Sequence, residues 1–184
     1  KLIYDPFKVK WKLNIQKEGM HTLTLIDALI NPNYEMESED AYQIWKKISL
    51  HESLEYLHYN VFNVFRIIYK AGEKTISTLN DLLNEYSVSQ IYTVIYRSTS
   101  QALRFHIEHG ASKTHASNTI IGNAQKFAER ANVNQWDVQR YHRLNELPES
   151  ALSKFFFNRI LKIGYAGFNN KPIRFKDESE LIEF

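Results

Sequence analysis

The sequence predicts a mainly α-helical single domain of six or seven helices with a small β-hairpin near its start, and three observations carry that prediction. Long stretches with apolar residues at three- and four-residue spacing are separated by helix-stop and helix-start residues, notably Gly72, Gly110, Ser38, Thr75 and Ser112. Residues 52–71 are apolar on nearly every side, the pattern of a buried helix. The opening FKVKWKLNI, by contrast, alternates apolar and basic residues with the period of a strand. A length of 184 residues suits one domain with its own hydrophobic core, and 43% hydrophobic with 24% charged residues is ordinary for a globular chain. The chain begins with Lys1 rather than Met, which is consistent with a fragment of a longer protein.

In chain order, Phe7, Val9, Trp11, Leu13 and Ile15 share one face of the first strand, while Lys8, Lys10 and Lys12 share the other. Gly19 supplies the turn to MHTLTL, the second strand of the hairpin. Leu25, Ile26, Leu29 and Ile30 fit a short helix equally well, ended by Asn31 and Pro32. Ser38 is placed to cap a helix over residues 39–49, with Glu39 and Asp40 in its first turn. Residues 52–71 follow as the central helix, with Phe62 buried and Gly72 as its stop. Thr75 then caps a helix carrying Leu79, Leu82 and Leu83, and Ser87 or Ser89 restarts the chain. A helix over residues 90–109 ends at Gly110, and Ser112 caps another that runs to Ala131. Residues 132–145 are polar and irregular, with Trp136 as an anchor. Pro148 opens a last long helix to Ile163. Gly164, Gly167, Asn169, Asn170 and Pro172 break the chain before IRFK, a candidate third strand.

Several function classes fall away on composition. With no cysteine there is no disulfide scaffold, thiolate metal site or cysteine nucleophile. No apolar run approaches the ~18 residues that span a bilayer, so no membrane segment is expected, and a cytoplasmic location is the default expectation. The sequence has no GxSxG, GxxxxGK[ST] or GxGxxG pattern. His106, His109 and His115 lie close in sequence but lack a general base at the spacing of a metalloprotease. His51, Glu55 and His58 contain one ExxH, a motif that a di-metal bundle needs twice. No cofactor, metal or catalytic constellation is therefore assigned. Arg140, His142 and Arg143 surround Tyr141, a grouping that suits either phosphate or ion pairs with Glu146 and Glu149.

The stretch STLNDLLNEYSVSQIYTVIYRS, residues 77–98, resembles a helix-turn-helix, with Val88 packing inward and Ser89 as the cap of the second helix. It departs from that pattern at Ser87, where glycine is usual, and at Thr93, where an apolar anchor is expected. Along the second helix Gln90, Thr93, Arg97, Gln101 and Arg104 recur at three- and four-residue steps as a polar stripe, and Arg and Gln reach both phosphates and base edges. Lys113, Lys126 and Arg130 can extend a basic surface on the following helix. The expectation is a non-enzymatic DNA-binding or DNA-associated regulatory protein in which Arg97, Gln101 and Arg104 face DNA and Lys8, Lys10 and Lys12 assist. The competing expectation is a helical protein-interaction or sensor domain that binds another protein or itself as a homodimer. A formal net charge of +2 decides between neither.

Overall fold

The computed structural model describes residues 36–175 and, before them, His21, Thr24 and Asp27. The chain divides into two compact units, Lys1–Glu35 and Met36–Phe184, and the second holds every element that follows. The expected N-terminal hairpin, with Lys8, Lys10 and Lys12, lies outside the described residues. The described residues are mainly helical and contain no strand; the described part of IRFK, residues 173–175, has no regular secondary structure.

The first helix, α1 (Ser38–Phe65), is a single run of 28 residues where the sequence predicts two helices. No glycine or proline occurs between its ends, so nothing interrupts the backbone hydrogen-bond ladder around His51. Glu39 and Asp40 in its first turn favour the positive end of the helix dipole. Its termination also differs from expectation: Arg66 takes a left-handed conformation (φ 58°, ψ 37°) and its N–H bonds the Phe62 carbonyl, six residues before Gly72. Gly72 is instead the N-cap of α2 (Glu73–Leu82). Thr75 is buried inside that helix, its hydroxyl 2.9 Å from the Tyr69 hydroxyl.

The third helix, α3 (Val88–His109), starts where Ser87 and Gln90 form a reciprocal capping box. The cap is Ser87, and Ser89 is a buried hydroxyl 2.9 Å from the Ser87 hydroxyl. As predicted, α3 ends at Gly110, whose φ of 63° suits a residue without a Cβ. Ser112 caps the next helix as expected, accepting from the His115 N–H, but the helix is split into α4 (Lys113–Asn118) and α5 (Ile120–Val133). At the break the Thr119 hydroxyl donates to the Ala116 carbonyl at 2.7 Å and competes with the ladder. The long terminal helix expected over residues 148–163 is likewise shorter: it is α6 (Ala151–Phe155), capped by Ser150 rather than opened by Pro148, running into a π-helical turn (Phe156–Ile160). A separate short helix, α7 (Ala166–Asn169), follows a left-handed Gly164.

The central element is α3, which packs against both α1 and α5. Tyr56 of α1 and Tyr92 of α3 stack with ring centroids 3.7 Å apart, in a core that includes Leu57, Val61, Phe65, Leu79, Ile91, Ile95 and Ile120. A second cluster of Trp45, Phe156, Phe157 and Phe175 holds the C-terminal segment against the first half of α1. The Trp45 indole donates to the Gly167 carbonyl at 3.0 Å, and a Cβ at Gly167 would stand 2.4 Å from the Phe157 ring. Only glycine lets the backbone approach that closely.

Candidate nucleic-acid interface

The polar stripe predicted on α3 divides at its middle. Its first half is covered: Val88, Ser89, Ile91, Tyr92, Thr93, Val94 and Ile95 are all buried. Residues 138–141 lie over this half, with the Tyr141 N–H on the Ser89 carbonyl, Gln90 donating to the Val138 carbonyl and the Thr93 hydroxyl donating to the Gln139 carbonyl. A helix-turn-helix presents the start of its second helix to the major groove. Here that start is enclosed, so residues 77–98 form a packed helical pair with no N-terminal reading face. Val88, predicted to point inward, does so.

The second half of α3 is open. Arg97, Gln101 and Arg104 are exposed, one or two turns apart on one side of the helix, because Ser98, Thr99 and Ala102 face the core on the other. Opposite them α5 carries Asn123, Lys126, Phe127 and Arg130. The two helices and Trp136 line a groove of about 610 Å³ that contains four cations, Arg97, Arg104, Lys126 and Arg130, and no carboxylate. Among the described residues none of the four has an ion-pair partner. The Arg97 guanidinium stands 5.5 Å from the Phe127 ring centre, and Phe127 meets Trp136 at 6.0 Å with the planes tilted by 55°. Trp136 is placed by a tight turn: Gln135 has a positive φ of 53°, and the Trp136 N–H returns to the Ala131 carbonyl at 2.9 Å.

The structure thus brings together Arg97, Gln101 and Arg104 with the suspected extension Lys126 and Arg130, while Lys113 is not part of the groove. Phe127 and Trp136 were not legible as part of this site. Their only sequence signal is that Phe127 follows Lys126 and precedes Arg130 on one helix. Trp136, expected as an anchor, is half-exposed.

Other candidates are engaged elsewhere or do not converge. Arg143 pairs with neither Glu146 nor Glu149; it donates to buried Glu52 from Nη1 and Nη2, at 3.0 and 3.2 Å, and lies 4.3 Å over the Phe168 ring. Burial pushes the Glu52 carboxyl above its ordinary range, and the hydrogen bonds and charge of Arg143 offset that only in part. His106 donates from Nδ1 to the Ala111 carbonyl, and His109 and His115 both rest against Phe105. His51, Glu55 and His58 edge an apolar groove of about 840 Å³ on α1 with Ile44, Ile48 and Leu54. Among the described residues no three His, Asp or Glu side chains converge as a metal site. On the other flank of α5, Asp81, Glu85 and Glu129 line a groove of about 380 Å³ shared with α2. No helix among the described residues is long and apolar enough to cross a membrane. Compared with protein-family models, curated proteins and solved structures, the chain finds no match.

Proposed function

We propose that the chain binds nucleic acid, DNA foremost, as a non-enzymatic DNA-associated protein, with Arg97, Arg104, Lys126 and Arg130 contacting phosphates and Gln101 contacting bases or sugars. The observation that carries this reading is the groove between α3 and α5, where four unpaired cations stand together without a carboxylate. Like charges held side by side repel, and at an exposed surface that arrangement gains nothing for the fold. A polyanion supplies the missing partners and releases its counterions on binding. Lys8, Lys10 and Lys12 belong to the same proposal as auxiliary phosphate contacts. The competing protein-interaction reading has the apolar groove on α1 as its best surface, but nothing among the described residues identifies an occupant for it.

Binding of a DNA oligonucleotide over a series of salt concentrations tests the proposal. The affinity should fall linearly in log–log form, and replacing Arg97 and Arg104 by Ala should reduce the slope by about 1.4 to 1.8, roughly 0.7 to 0.9 for each lost phosphate contact. Folding stability should change by less than about 0.5 kcal/mol, since both side chains are exposed. An unchanged slope would remove this groove from the interaction. Absence of any binding at low salt by the folded parent would reject the nucleic-acid reading.

A further inference from the structure

We infer that the groove between α3 and α5 accepts a single nucleic-acid strand, with one unpaired base stacked on Trp136; the inference rests on the nucleic-acid reading above. Phosphate contacts alone need only cations, yet this groove is walled by aromatic rings. Arg97, Phe127 and Trp136 form a row, with Phe127 between the guanidinium at 5.5 Å and the indole at 6.0 Å. Phe127 is partly buried in that row, while Trp136 at its end is 49% exposed. A tryptophan is the largest apolar side chain available and ordinarily contributes most when covered. Trp136 is instead held at the rim by a tight turn, and its indole N–H has no hydrogen-bond partner among the described residues.

Cations that follow a backbone, combined with an aromatic face that receives a base, are the composition of single-strand channels. In a duplex the base faces are covered by their neighbours in the stack, and only base edges and phosphates are presented outward. A duplex can therefore reach Arg97, Arg104, Lys126 and Arg130 but cannot lay a base on Trp136. An unpaired strand can do both. Ser100, Gln101 and Asn123 also line the groove. Hydroxyl and amide groups both donate and accept, so they accommodate the edge of any base and predict weak sequence preference.

The test compares a thymidine oligonucleotide with a duplex of equal length, at one salt concentration, by fluorescence anisotropy. The single strand should bind about ten-fold more tightly. Trp136→Ala should weaken single-strand binding by about 5- to 160-fold, the range for one lost base–aromatic stack, and duplex binding by less than about two-fold. Trp136→Leu keeps apolar bulk against Phe127 but offers no π-face, and should behave as the Ala variant does; Trp136→Phe should retain most of the affinity. A thermal melt of each variant confirms folding, and the conservative Leu and Phe pair carries the comparison if the Ala variant does not fold. Equal or tighter binding of the duplex, with Trp136→Leu indistinguishable from the parent, would overturn the single-strand inference and leave the phosphate reading intact. Failure of the folded parent to bind either form would overturn both.

Discussion

Phe62 and Phe65 stand three residues apart on α1, Phe62 51% exposed beneath the Arg66 guanidinium and Phe65 1% exposed in the main core. The sequence reading places Phe62 at the centre of the molecule, and the structure corrects it: Phe62 continues the outward line of His51, Glu55 and His58. Phe65→Ala should therefore destabilise by about 3 to 5 kcal/mol, the usual effect of emptying a core aromatic site, and Phe62→Ala by less than about 1 kcal/mol. Chemical denaturation of the two variants side by side checks the order. Two glycines make a second contrast, because a Cβ at either would meet no atom within 4 Å. Any effect of substitution is then a backbone effect. Gly110 holds a φ of 63° at the end of α3, so Gly110→Ala should cost about 1 to 2 kcal/mol. Gly122 lies within α5 in helical conformation, so Gly122→Ala should stabilise by about 0.5 to 1 kcal/mol. The pair of melting temperatures should move in opposite directions.

At the scale of elements, the legible features were those set by local chemistry. Gly110 and Ser112 bound their helices as predicted, and the stop–start punctuation between α2 and α3 is real, with Ser87 chosen over Ser89 because its side chain and that of Gln90 satisfy each other's backbone N–H groups. What was not legible depends on partners far along the chain. Residues 52–71 look apolar all round, but α1 buries one face made of two adjacent rows, Trp45, Ile48, Glu52, Tyr56 and Asn60 beside Ser49, Ser53, Leu57, Val61 and Phe65, whose phase is set in its first half. Splitting the helix near residue 50 discarded that phase. Glu52 and Arg143, 91 residues apart, could not be paired from spacing, so Arg143 looked available for phosphate. That pair has a testable pH signature. The Glu52 carboxyl is raised above its ordinary 4.5 by burial, so folding favours its protonated form; the stability it contributes is full at low pH and declines as pH rises through the window above 4.5. Arg143→Met removes the offsetting charge and leaves a buried carboxylate alone. Urea denaturation should show a loss of about 3 to 5 kcal/mol against the parent at neutral pH, shrinking as pH falls toward 4.5, because the unpaired Glu52 takes up its proton above that value.

For the whole molecule, composition was a poor guide to the surface. A net charge of +2 describes a chain with 23 basic and 21 acidic residues, and it hides how they are sorted. Arg97, Gln101 and Arg104 were readable as one side of a helix because helical spacing alone fixes that relation. Their meeting with Lys126, Arg130 and Trp136 depends on how α3 and α5 pack, which no local pattern encodes. The same packing puts Asp81, Glu85 and Glu129 on the opposite flank of α5, toward α2. One helix therefore separates a carboxylate-lined groove from a cation-lined one. The consequence is a torque: within a screening length of about 8 Å at physiological salt, a polyanion attracts one flank of α5 and repels the other. The two flanks of α5 thus discriminate by sign at close range, the cation-lined groove drawing an anionic chain and the carboxylate-lined one turning it away.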